Sequence, residues 1–148
     1  MNIFVIDRDP EIAAISLMDK HVVKMALETA QILSTVNGGP YKPTHETHPC
    51  TLWAKEGIDN YKWLVKHGLA ICDEYMYRFN KVHKCREVIW LLEDPFEIQL
   101  PSGGTPHVAV MPFLYREEDI VKSYRNYYMS KAGIARWTKR DVPEWWLT

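Results

Sequence analysis

No stretch of the sequence approaches the roughly 20 apolar residues that a membrane-spanning helix needs, so a membrane partner is not expected. Residues 1–6 lack the basic lead and long apolar core of a secretory signal. Cysteine is scarce: Cys50, Cys72 and Cys85 are an odd number with no C-x-x-C pair. That argues against a disulfide framework and fits a reducing, cytoplasmic compartment. Charge of one sign is missing too, with 18 Lys and Arg against 19 Asp and Glu. Proteins that hold nucleic acid over a broad electrostatic surface are usually basic, so only a local basic face is left open. Gly103-Gly104 lacks the G-K-[ST] ending of a phosphate loop. There is no G-x-S-x-G, no recognisable Cys-His signature, no repeat and no linker.

What the chain has in excess is aromatic: 6 Trp and 8 Tyr among 148 residues. Such side chains serve cores, interfaces and base stacking alike. A chain of this length suits one domain, 1–148, with one core.

The pattern of elements is helical throughout. Residues 2–6 form a short apolar lead-in, extended or one short strand. Asp9-Pro10 reads as an N-cap followed by proline at the first helical position. Apolar spacing at Val22, Val23, Ala26, Ala30 and Leu33 predicts a helix over 20–36, with Asp19 capping or interrupting it and Asn37-Gly38-Gly39-Pro40 ending it. Thr51 is a candidate cap for a helical region over 51–79, with a break near Gly57. A shorter helix is expected over 84–93 and a last one over 117–135. Between them, 94–112 carries Pro95, Pro101, Gly103, Gly104, Pro106 and Pro112. It reads as a long ordered loop, a class that is uncommon and often functional. The expected fold is a compact all-α domain.

His21, Lys24, Glu28 and Gln31 stand at i, i+3, i+7 and i+10, one face of a helix. The intervening residues are mostly apolar, so the polar strip is narrow. A narrow strip on a helix otherwise suited to burial can line a cleft. It offers a histidine that titrates near neutral pH, a carboxylate for proton transfer and an amine. The bland alternative is a helix with one wet edge and a Lys24–Glu28 surface pair.

His45 and His48 form H-x-x-H in a loop. Without further ligands at a known spacing the pattern is weak, so neither a metal nor a cofactor is expected, and both histidines are candidates for substrate contact. The segment Tyr124-Arg125-Asn126-Tyr127-Tyr128-Met129-Ser130-Lys131, followed by Arg136, Lys139 and Arg140, mixes rings with cations. Cations can neutralise phosphates and rings can stack on bases. Equally, such a helix packs its tyrosines inward and its charges in water.

Leu17-Met18-Asp19-Lys20-His21-Val22, with Glu28 seven residues after His21, resembles the first helix of the phage pyrimidine-dimer DNA glycosylases of the endonuclease V type. There an L-x-D-x-H motif precedes the catalytic glutamate by the same spacing. Glu74-Tyr75-Met76-Tyr77-Arg78-Phe79-Asn80 resembles that family's E-C-L-K-R-G-F-N, short by the Gly. Tyr124 to Ile134 is similar to its aromatic-basic tail. The D-K-H-V-V-K-M stretch also resembles one in uncharacterised phage proteins, for which the compartment would be the host cytoplasm.

The resemblance implies a compact all-α fold and an amine that attacks the sugar C1′, expels the base and forms a Schiff base, after which elimination nicks the strand. It implies Glu28 as the assisting carboxylate and His21 in the site wall. The family's nucleophile is the amine of an N-terminal Thr exposed by removal of Met. Here Met1 precedes Asn2, a residue usually too large for that removal, and the amines on offer are those of Lys20, Lys24 and Met1. The family's arginines flanking the glutamate correspond to Leu27 and Gln31.

The expected function is a DNA base-excision enzyme: an N-glycosylase, with or without AP-lyase activity, acting on damaged or modified pyrimidines. Its candidate catalytic residues are Glu28, His21, Lys24 and Lys20. Candidates for substrate binding are Gln31, His45, His48, Arg78, Tyr124, Arg125, Tyr128, Lys131 and Arg140, with Trp53, Tyr61 and Tyr128 as candidate walls of a base pocket. The alternatives are a nucleotide-binding protein that sequesters or degrades a small signalling nucleotide, and an interaction protein without chemistry.

Overall fold

The computed structural model describes residues 1–95 and 98–146, and among them there are helices and no strands. The helices are α1 (Pro10–Ile15), α2 (Asp19–Asn37), α3 (Pro49–Lys55), α4 (Ile58–Phe79), α5 (Arg86–Leu91) and α6 (Ile120–Met129). Two single-turn 3-10 segments, Phe113–Tyr115 and Glu144–Trp146, complete the order. The long α4 is the central post. It packs against α1, α2, α3 and α5, while α6 sits with the two 3-10 turns.

Local chemistry sets most boundaries. The Asp9 carboxylate accepts from the N–H groups of Glu11 and Ile12 at 2.8 and 3.2 Å, with Pro10 at the first position of α1, as a capped, proline-led start requires. Gly38, with φ of 87°, closes α2. At α3 the cap is His48, whose Nδ1 accepts from the Cys50 N–H at 3.1 Å; Thr51 is buried inside the helix instead.

The expected break near Gly57 is real, and its cause is tertiary. A Cβ at Gly57 would collide with the carbonyl oxygen of Gly103. The bare backbone lets the long loop cross there, so that Ile58 N–H donates to Pro101 O at 2.8 Å and Asp59 N–H to Gly103 O at 3.0 Å. Asn60 extends the clasp, donating to Trp53 O and accepting from Thr105 N–H at 2.8 and 3.0 Å. These bonds hold the loop expected over 94–112 as ordered, non-helical chain, apart from residues 96–97, which lie outside those described.

Three expectations are corrected. Asp19 neither caps nor interrupts α2. It lies in the first turn, and its carboxylate accepts from Arg78 and from the N–H and hydroxyl of Thr138 at 3.1, 2.9 and 2.6 Å, fastening the tail. The last helix is ten residues long rather than spanning 117–135, because Asp119 caps it through Val121 N–H and the chain turns after Met129. The N-terminal segment is not a strand. Ile3, Phe4, Val5 and Ile6 are buried in the core, and Phe4 has a φ of 57°, a backbone region that a bulky residue adopts only when its surroundings impose it.

Candidate active site

The inserted N-terminal segment brings the chain's first residues onto α2. A pocket of about 470 Å³ opens there, walled by Met1, Asn2 and Phe4, by His21, Lys24 and Glu28 of α2, by Val110 and Met111 of the long loop, and by Tyr127 and Lys131 at the end of α6. Three of the four stripe positions thus line one cavity. Gln31, a turn further on, is half-buried and outside it. Lys20 is exposed and also outside.

Glu28 is the centre. Its residue exposure is only 7%, a position where a carboxylate needs partners. Oε1 accepts from the Asn2 N–H at 2.9 Å and faces the Met1 ammonium at 3.5 Å. Oε2 faces Lys24 Nζ at 3.8 Å. The two amines sit on different scaffolds: the Met1 amine is on a partly buried residue clamped to α2, and the Lys24 amine ends a side chain that is 70% exposed. Lys24 therefore stands in water at the rim of the pocket.

Asn2 aims the amine. Its Oδ1 accepts from the N–H groups of Ile3 and Phe4 at 2.8 and 3.3 Å, and its Nδ2 donates to Val110 O at 2.7 Å. The terminus is clamped between α2 and the loop.

His21 forms the wall rather than a titrating group. Phe4 stacks on it at 4.1 Å. Burial first, then the charges of Lys131 and Lys24, push its pKa down to about 3, well below the neutral range that its residue type suggests. Tyr128 OH accepts from Met18 N–H at 2.9 Å and lies 2.7 Å from His21 Nδ1. Where the Tyr128 hydroxyl donates to Nδ1, the neutral ring is the Nε2–H tautomer, a donor and not an acid. Lys131 Nζ stands 4.4 Å from the Tyr127 ring centre and supplies cationic character on the wall opposite α2.

His48 sits behind the site. Its pKa is lowered, first by burial, then by the terminal ammonium and by His45, with Glu28 pulling the other way. Its capping bond already occupies Nδ1. His45 lies 6.3 Å away in ring centres and is exposed, with Nδ1 2.8 Å from Thr44 Oγ1. Neither lines the pocket. Among the described residues no group of three or more His, Cys, Asp or Glu is arranged to hold a metal ion. Burial pushes the nearby Cys50 thiol up to about 12, so it stays protonated and inert.

Several expected substrate contacts are engaged in holding the fold. The Arg78 side chain is fully buried and bonds Glu74, Asp19, Leu17 O and Ile15 O at 2.7–3.1 Å. Arg140 grips both Glu74 oxygens at 2.9 Å and lies over Tyr77. Arg125 donates to Ile6 O at 2.9 Å and to Asp7 at 3.3 Å, fastening the N-terminal segment. Tyr124 is buried and donates to Val108 O at 2.7 Å, fastening the loop; Tyr128 is buried beneath His21. Trp53 and Tyr61 are core residues, bonded to Thr105 O and Leu92 O. Of the aromatic-basic tail, only Lys131 and Tyr127 reach the pocket. Phe4, Asn2 and the Val110–Met111 wall carry no motif, and only contacts distant in sequence reveal them.

Residues 1–87 match a family model described as pyrimidine dimer DNA glycosylase. No curated protein and no solved structure matches the chain. The matched span holds the terminal amine and Glu28; the Val110–Met111 wall, Tyr127 and Lys131 lie beyond it.

Proposed function

The chain belongs to the pyrimidine dimer DNA glycosylase family, and from that premise we propose that it excises damaged pyrimidines with its own N-terminal amine and Glu28, and nicks the strand at the resulting site. The family makes DNA the substrate. The observation that carries the mechanism is the 3.5 Å approach of the Met1 ammonium to Glu28 Oε1 in a pocket.

Glu28 takes a proton from the ammonium, and the free amine attacks C1′ of the damaged nucleotide. The C1′–N1 bond breaks with its electron pair passing to the pyrimidine. The sugar ring opens as O4′ takes a proton, leaving a Schiff base between C1′ and the terminal nitrogen. Loss of a C2′ proton then expels the 3′ phosphate, and water hydrolyses the Schiff base to restore the amine. His21 Nε2–H and the ammonium of Lys131 offer donors to the sugar and its phosphate. Water is displaced as a base enters a pocket walled by Phe4 and Tyr127.

Borohydride trapping on ultraviolet-irradiated duplex and on abasic duplex tests this. The expected result is a covalent adduct that peptide mass analysis places on the first residue. An adduct on Lys24 or Lys131 would overturn the assignment of the amine. Neither adduct nor base release from irradiated duplex would overturn the function.

A further inference from the structure

We propose that Phe113 and Leu114 form an apolar wedge that enters the base stack of duplex DNA beside the pocket and fills the space left when a nucleotide is displaced. The inference rests on the excision reading above and adds a structural element to it that lies outside the span matched to the family.

Phe113 and Leu114 are 83% and 77% exposed, the most exposed of the large apolar residues described. They are held in place and do not trail in solvent. Their single 3-10 turn closes through Tyr115 N–H to Pro112 O and Arg116 N–H to Phe113 O at 3.1 and 3.0 Å. Arg116 also donates through Nε and Nη2 to Met111 O at 3.2 and 3.1 Å, and Asn126 of α6 donates to Tyr115 O at 3.2 Å. The result is a braced tip carrying an aromatic blade and an aliphatic one.

Its position is set by the chain. Met111 lines the pocket, and two residues of chain span at most about 7 Å. That is about two steps of a base stack with a 3.4 Å rise per strand. A tip tethered within that reach of the pocket wall can meet the stack next to a nucleotide drawn into the pocket. Its flanks are mixed in charge: Arg116 and the pocket lysines are cationic, while Glu118 is exposed and Asp119 pairs with Arg8. The Arg116 guanidinium lies 5.8 Å from the Phe113 ring centre, Lys131 and Lys24 stand at the pocket, and the following Glu117 turns its carboxylate to Asn126 and Lys122. Inserted Phe and Leu side chains unstack base steps and kink duplexes, and the gain is a wider contact with bent DNA. Flipping leaves a gap in the stack, and only duplex has one to fill.

The test uses the full chain and a duplex carrying an uncleavable tetrahydrofuran abasic analogue, with 2-aminopurine as its neighbour. Binding of the wild-type protein is expected to raise the 2-aminopurine fluorescence several-fold. The double variant Phe113→Ala/Leu114→Ala is expected to lose that rise and to bind the duplex on the order of tenfold to a hundredfold more weakly. Its binding to the same oligonucleotide as a single strand should stay within about twofold, and Phe113→Trp should restore unstacking. Both side chains face water, so an unchanged melting temperature is the check on folding. If the variant unstacks and binds duplex like wild type, the wedge is overturned, while base release from irradiated duplex by the wild-type protein leaves the excision reading standing. If wild type releases no base, both fall. A wild-type dimer that the double variant dissociates in sedimentation, with duplex binding unchanged, would make the tip a contact between copies and overturn the wedge.

Discussion

The Met1 amine and the Glu28 carboxylate are brought to 3.5 Å by a buried N-terminal segment lying across α2. Glu28→Gln keeps the shape and removes the proton acceptor. Single-turnover excision should fall on the order of 10²–10⁴-fold, with little change in the thermal melt. Retained turnover would remove Glu28 from the mechanism.

An added residue ahead of Met1 displaces the amine by up to about 3.6 Å. Misplacement by even about 1 Å can cost on the order of a hundredfold in rate. A Gly-extended chain should therefore bind abasic duplex normally and fail to trap with borohydride. Normal trapping by the extended chain would point to a side-chain amine.

Acid should destabilise the fold through buried neutral histidines. His67 and His107, caught among Trp53 and Trp63, have pKa values lowered to about 4, chiefly by burial, and His21 to about 3. Unfolded histidines bind protons below about pH 6.5, and the folded rings do not until pH 4 or lower. Stability is therefore fully present above pH 6.5 and is lost as pH falls toward 4, by about 1.4 kcal/mol per pH unit for each ring. Urea midpoints between pH 7 and 4.5 measure this; His67→Gln should flatten the slope. A midpoint unchanged over that range would contradict the assignment.

Glu74 is 2% exposed and holds two guanidiniums, Arg78 and Arg140. Glu74→Ala leaves the buried Arg78 charge short of a partner, and a loss of about 3–5 kcal/mol is expected in denaturant unfolding. A loss below about 1 kcal/mol would show that Asp19 alone compensates Arg78.

Lys131→Ala removes a cation from the pocket wall without touching Glu28. Duplex affinity should drop, and the slope of log affinity against log salt should become shallower by about one unit. An unchanged slope would place Lys131 off the phosphates.

Much of the helical order was readable in the chain because its causes are local. Asp9-Pro10 starts α1 and Gly38 ends α2 through their immediate neighbours, whereas Gly57 marks the break between α3 and α4 in the sequence but owes it to the crossing loop. The stripe of α2 was readable for the same reason, since helical spacing alone puts His21, Lys24 and Glu28 on one face. What no spacing contains is who meets whom across the fold. Arg78, Arg125 and Arg140 resemble phosphate ligands in a linear reading. They are structural because Glu74, Asp19, Asp7 and the carbonyl of Ile6 lie within hydrogen-bond reach. His21 has the residue type of a neutral-pH acid and became a neutral wall once Phe4 and Tyr128 enclosed it. The chain by itself determined which helices form and that one carries a polar face. The tertiary structure decided that the terminal amine joins Lys24 at Glu28 and which cations stay at the pocket, because distance between remote residues belongs to the packed molecule.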